Sequence, residues 1–172
     1  MSTALPVRLR DGTTLLARAL EARDRAALAA GAARLSPDSR HLRFGTPKPR
    51  LAAGELDRLL DLDHHEREAL VAYDPVSGRG LAVARYASSA GEPGVAELAL
   101  TVADEWQGRG LGPALLELLR ERAAEEGIRL LRASAIGDNR RAVKVARRAG
   151  ATVVSAGGGL VELELPVGGR TA

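Results

Sequence analysis

The sequence contains no cysteine, which excludes disulfide bridges, thiolate nucleophiles and cysteine-ligated zinc or iron–sulfur centres. Three histidines in 172 residues are too few for a multi-histidine metal centre, so no metal is expected. Aromatic residues amount to 2% (Phe44, Tyr73, Tyr86 and Trp106), leaving little to stack on nucleobases. Lysine is scarce: of 25 basic residues only Lys48 and Lys144 are lysine. The arginines run along the whole chain and face 22 acidic residues, for a formal charge of +3. A nucleic-acid binder concentrates its positive charge instead. No apolar run reaches the ~18 residues of a membrane span. Arg8, Arg10, Asp11 and Arg18 occupy the place of a signal-peptide core. These absences predict a cytoplasmic protein without nucleic-acid or membrane partners, monomeric or dimeric.

What remains is aliphatic. Alanine and leucine together number 59, and apolar types reach 45% beside 27% charged, the balance of a folded globule with a core of small and medium side chains. The length suits one domain, residues 1–172.

Val7 and Leu9 alternate with Arg8 and Arg10 before the turn dipeptide Asp11-Gly12, and Leu15 to Ala19 resumes the extended pattern, predicting a hairpin. Alanine-rich residues 21–35 predict a helix. Ser36-Pro37-Asp38 offers an N-cap and a first-turn proline for a short helix to Arg43. Thr46-Pro47-Lys48-Pro49 reads as a stiff link, with another helix over 51–62. Strands are expected at 69–73, 80–87 and 95–102, a helix at 110–126, a strand at 128–136, a helix at 139–149, and strands at 152–155 and 160–165. No repeat or interior linker divides the chain. The economical fold is α/β (α+β in some schemes), with helices flanking a mixed sheet.

The chemistry concentrates at Gln107-Gly108-Arg109-Gly110-Leu111-Gly112, between a strand and an amphipathic helix. Glycines let successive N–H groups point outward, and the helix adds its positive end, which suits a pyrophosphate. The alternative is a glycine-rich turn with no ligand. The stretch lacks the Lys-Ser/Thr ending of a phosphate-binding NTPase loop, and no acidic residue follows where a dinucleotide ribose needs one. Upstream, Glu97, Ala99 and Thr101 share one face of a strand and Ala96, Leu98, Leu100 and Val102 the other. Glu97, among small and apolar residues, is either a general base in a cleft or a solvated glutamate. Asp63-His64-His65-Glu66 reads as surface capping or a substrate contact, because adjacent residues do not point to one ion. Arg140, Arg141, Arg147 and Arg148 form either a phosphate contact through one of them or a solvated helix face.

These residues resemble the GNAT N-acetyltransferases. Gln107, Gly110 and Gly112 fit the family's Gln/Arg-x-x-Gly-x-Gly/Ala motif, and 95–102 looks like its central fourth strand. Asn139-Arg140-Arg141-Ala142 resembles the start of its later cofactor-side helix, and Gly150 matches the glycine ending it. Leu35-Ser36-Pro37-Asp38-Ser39-Arg40-His41-Leu42-Arg43-Phe44 and Glu68-Ala69-Leu70-Val71-Ala72 are similar to segments of bacterial protein-lysine acetyltransferases.

The resemblance implies one GNAT-like domain with a twisted, mostly antiparallel sheet of six or seven strands. Residues 7–70 would form its acceptor side and 71–165 its acetyl-CoA side. It implies an acetyl-CoA-dependent N-acetyltransferase, acting on lysine side chains of a protein substrate or on a small amine or amino acid. The cofactor residues it implies are Gln107, Gly108, Arg109, Gly110, Leu111 and Gly112 at the pyrophosphate, Leu100, Thr101 and Val102 along the pantetheine arm, and Asn139 and Arg141 on the later helix. A main-chain N–H at Leu100 or Val102 would polarise the thioester carbonyl, and Glu97 would be the base. Many relatives carry a tyrosine seven residues after the asparagine, to protonate the leaving thiolate; here that residue is Ala146. Its loss leaves open a catalytically weak acyl-CoA-binding module.

Overall fold

A computed structural model of the chain describes residues 3–45, 49–137 and 139–168. Most of the expected link at Thr46-Pro47-Lys48-Pro49 therefore lies outside the described residues.

The chain opens with the hairpin β1 (Leu5–Arg8) and β2 (Thr14–Ala19), whose turn is fixed by Gly12 at φ 85° and by the Asp11 carboxylate accepting from Thr13 N–H at 2.9 Å. A single 3-10 turn at Ala22–Asp24 leads into α1 (Arg25–Arg34). Ser36 caps α2 (Pro37–Phe44) by accepting from Ser39 N–H at 3.1 Å, with proline in the first turn, and α3 (Ala53–Leu60) follows. Then come β3 (Arg67–Tyr73), β4 (Gly80–Ser88), β5 (Val95–Val102), α4 (Leu111–Glu125), β6 (Leu130–Ile136), α5 (Arg140–Arg148), β7 (Thr152–Gly157) and β8 (Leu160–Pro166).

Among the described residues eight strands join one sheet in the order β1-β2-β3-β4-β5-β6-β8-β7, and only the β5–β6 pair is parallel. The resemblance's count of about six or seven strands is slightly low, and the eight segments expected along the chain all form strands. The last two strands form a hairpin in which β8 inserts beside β6 and leaves β7 at the edge, with a register slip between Val153 and Ser155.

Helix α4 buries Leu111, Leu115, Leu116, Leu119 and Ala123 against one sheet face, where Val7, Leu15, Leu70, Tyr86, Ala96 and Leu131 complete the main core. The opposite face carries a smaller cluster around Leu20, Ala69 and Val71, covered by Leu28 of α1 and Leu60 of α3. Among the described residues no helix is long and apolar enough to cross a membrane.

Candidate active site

Strands β5 and β6 stay paired over three rungs only, Val95↔Leu130, Ala96↔Leu131 and Glu97↔Arg132. Beyond Glu97, β5 continues along β4 as far as Val102, while β6 continues along β8, so the sheet forks. The antiparallel register shows which main-chain groups face the fork. Ala103 N–H donates to Leu81 O and Ser89 N–H to Val95 O, so the odd-numbered residues of β5 bond to β4. By the alternation of an antiparallel ladder, Leu100 and Val102 then turn their N–H groups to the open edge.

The fork leads to the glycine loop. Gly108 (φ 77°) and Gly110 (φ 91°) take left-handed backbone that a side chain would strain, and Gly110 caps α4 with no side-chain help. Among the described residues no acceptor meets the N–H groups of Gly108, Arg109, Gly110, Leu111 or Gly112. Five free donors at a helix start make a cradle for an anion. Gly112 has a different requirement. A β-carbon there would lie 3.3 Å from Leu100 Cδ2 and 3.5 Å from Val102 Cγ2, so its smallness lets α4 approach β5.

Gln107 acts through its side chain, because its own N–H is spent on Asp104 O. Its amide Nε2 donates to Val102 O at 3.0 Å and to Ser39 Oγ at 3.3 Å, while its Oε1 accepts from Arg141. One glutamine thus ties the end of β5 to α2 and α5, and brings Arg141 beside the cradle. Asp104 reinforces the joint by accepting from Ser36 N–H (3.0 Å), Ser36 Oγ (2.9 Å) and Ser39 Oγ (2.6 Å). Burial alone would raise its pKa, but these hydrogen bonds outweigh it and hold the carboxyl below its usual range.

Several expected residues sit differently. The Arg109 guanidinium turns from the loop, stacking on Trp106 at 4.0 Å from the ring centroid and pairing with Asp11 at 2.7 Å, so only its N–H faces the cradle. That pairing holds the Asp11 carboxyl well below the usual range. Asn139 caps α5, its Oδ1 accepting from Ala142 N–H at 3.1 Å. Thr101 belongs to the other side of the sheet. As an odd-numbered residue it turns its N–H to β4, and its hydroxyl accepts from Arg43 Nε at 2.9 Å. Glu97 is exposed at the fork and not enclosed by apolar side chains, and among the described residues its side chain makes no hydrogen bond or ion pair.

Ala146 packs against the main core from α5. In the 63–66 segment, Asp63 accepts from His65 and Arg67 N–H (both 2.9 Å), while His64 bonds to Glu68 and His65 to Glu126. The two imidazoles thus serve separate carboxylates. Among the described residues no group of three or more His, Cys, Asp or Glu is placed to hold a metal ion.

Sequence reasoning missed Arg43 and Arg85, which enter a cavity of about 110 Å³ between α1–α3 and the sheet. It also missed the burial of Glu68, 2% exposed. An arginine inside the apolar run Leu81-Ala82-Val83-Ala84-Arg85 was the one available signal.

A mostly antiparallel sheet forked at its single parallel pair, with an anion cradle where the fork ends, defines an acetyltransferase-type fold. The chain belongs to the acetyltransferase (GNAT) family, whose model matches residues 34–151. It is 37% identical over 123 residues to Acetyltransferase PA5475 of Pseudomonas aeruginosa, covering 70% of this chain and 66% of that protein. It is 30% identical over 166 residues to Acetyltransferase Pat of Mycolicibacterium smegmatis, covering 96% of this chain and 49% of that one. The chain therefore spans about two thirds and about half of these curated relatives. Among solved structures it resembles the GNAT domain of S. lividans PAT, with a TM-score of 0.88 and 33% identity over 95% of this chain and 96% of that one.

Proposed function

We propose that this protein transfers an acetyl group from acetyl-CoA to an amine, with protein lysine side chains as acceptors. The observation that carries the reading is the fork directly after Glu97, which opens two main-chain N–H groups and ends in five more. That set fits the donor: the cradle of Gly108 to Gly112, with Arg141 beside it, would hold the pyrophosphate, and the β5 edge would hold the pantetheine arm. Acetyl-CoA, when bound, supplies a thioester carbonyl whose C–S bond breaks as the new C–N bond forms. Leu100 or Val102 N–H stabilises the negative charge on the carbonyl oxygen. Glu97 takes the proton of the acceptor ammonium, directly or through water, because a lysine titrating near ~10.4 must lose it before attack. With Ala146 in place of the family tyrosine, solvent supplies the thiol proton, which an ordinary thiol of pKa about 8.5 accommodates.

The likeness of residues 35–44 and 68–72 to bacterial protein-lysine acetyltransferases supports lysine as acceptor. The second reading is a small amine or amino acid, favoured by the cavity beneath α1–α3. Following CoA release and acceptor mass under saturating acetyl-CoA, against folded proteins and a panel of amines, tests both. Site-specific lysine acetylation is expected; turnover confined to free amines would replace the acceptor, and acetyl-CoA binding without any turnover would make the chain an acyl-CoA sensor.

A further inference from the structure

Four arginines line the cavity beneath α1–α3: Arg18 is paired with Asp24 and Arg34 is exposed, while Arg43 and Arg85 are half-buried and meet no carboxylate among the described residues. Arg43 reaches in from α2, with its Nε on Thr101 and its Cζ 4.9 Å from the Phe44 ring centroid. Arg85 rises from β4 and donates to Leu59 O at 3.3 Å. Among the described residues neither has an ion-pair partner. The one carboxylate in the lining, Asp24, is closed in a two-pronged pair with Arg18, at 2.7 and 2.8 Å. Burial, helped by Arg85, pushes Arg43 down to about 10, and burial lowers Arg85 too, so Arg43 remains charged at neutral pH. The rest of the lining is mostly aliphatic, with Leu20, Leu28, Leu59 and Val71 prominent.

Two half-buried like charges in a mostly apolar cavity repel one another, and a counter-charge between them would relieve this. The cavity therefore selects an anion with an apolar body, and the two planar forks suit a carboxylate. Its position says whose anion this is. Arg85 is the cross-strand partner of Ala99, one same-face step from Glu97, and Thr101 lies two steps along the same face. The phosphate cradle is elsewhere, at the start of α4 where the fork ends.

We propose that this cavity is the acceptor subsite, and that Arg43 and Arg85 hold a carboxylate carried by the acceptor close to its reacting amine. The inference rests on the acetyltransferase reading with Glu97 at the amine. Two sources share the chemistry: a free amino acid, and a lysine flanked by an acidic residue in a peptide.

The test compares matched acceptors under saturating acetyl-CoA: leucine against leucinamide, and lysine peptides with Glu or Gln beside the lysine. In at least one pair the acid form should be preferred about tenfold or more in kcat/KM, and the pair that shows it identifies the source. The double variant Arg43→Gln/Arg85→Gln should erase the preference while keeping acetyl-CoA affinity. Should that variant not fold, Arg43→Lys and Arg85→Lys singly keep the charge but lose the fork, and each should reduce the preference. Equal rates in both pairs, or a preference unchanged in the variants, would overturn the proposal. Calorimetric titration with isovalerate reads the subsite without turnover. Binding lost in the glutamine variant would sustain the subsite even if no acceptor is acetylated and the transferase reading fails, whereas no binding to the wild-type protein would overturn it.

Discussion

Glu97 and Arg132 stand side by side on the last rung joining β5 to β6, yet they form no ion pair. Arg132 is taken by Glu92, at 3.2 and 3.3 Å, and by Glu164 at 3.3 Å. Its neighbours thus hold the guanidinium of the residue that pairs with Glu97 on that rung. A general base needs its lone pairs free for the substrate, and this arrangement leaves them so at the mouth of the fork.

The two glycine requirements of the loop can be separated. Gly110→Val places a β-branched residue at φ 91° and disturbs the cradle, so acetyl-CoA affinity should fall at least about tenfold in a protein that still folds. Gly112→Val instead presses on Leu100 and Val102 and should cost about 1–3 kcal/mol of stability. Calorimetric titration and denaturant melts on both variants check the division; equal affinity in folded Gly110→Val would place the phosphates elsewhere.

Arg141 touches Gln107 beside the cradle, at the far end of β5 from Glu97's rung with β6. Its replacement by alanine should raise KM for acetyl-CoA roughly tenfold with kcat little changed, because a charged hydrogen bond to phosphate is lost while the reacting centre is not. Steady-state kinetics with varied acetyl-CoA measure this, and a matching fall in kcat would assign Arg141 another role.

Asp24 gives the fold a dependence on pH. Hydrogen bonding to Arg18, first among its causes, holds the carboxyl below its ordinary value near ~3.9, so the unfolded chain binds the proton more readily. The stabilisation is complete above that value and is lost as pH falls through the lower folded value. The melting temperature of Asp24→Asn should therefore lie below wild type at pH 7, with the gap narrowing once the pH falls below that ordinary value. A gap independent of pH would show that the charge is not its source.

The order of elements was legible because its signals are local. Asp11-Gly12 makes the first turn, Ser36 and Pro37 start α2, and the glycines at 108 and 110 set the bend into α4. Each depends on residues within a few positions of one another. What escaped the sequence depends on distant pairing. Arg43 finds Thr101 across 58 residues, and only the register of β4 and β5 puts Thr101 on the face beneath α1–α3 with its N–H turned from the fork. Asn139 and Arg109 have the expected residue types in the expected loops, but helix capping and the Asp11–Trp106 contacts claim their side chains. All eight strand segments were legible along the chain, but alternation identifies strands without saying which sheet they join or in what order, so the placing of β8 between β6 and β7 was not.

The most direct test of the account is the turnover of Glu97→Gln against wild type on one acetylated acceptor, with acetyl-CoA affinity measured on the same samples. Affinity should be unchanged while turnover at neutral pH falls by about 10²–10⁴-fold, the usual loss for an acid–base group. Raising the pH, or using an acceptor amine of lower pKa, should shrink the deficit because the amine then arrives deprotonated. A deficit that stays constant across pH and acceptors, or wild-type turnover in the variant, would contradict Glu97 as the base at the fork.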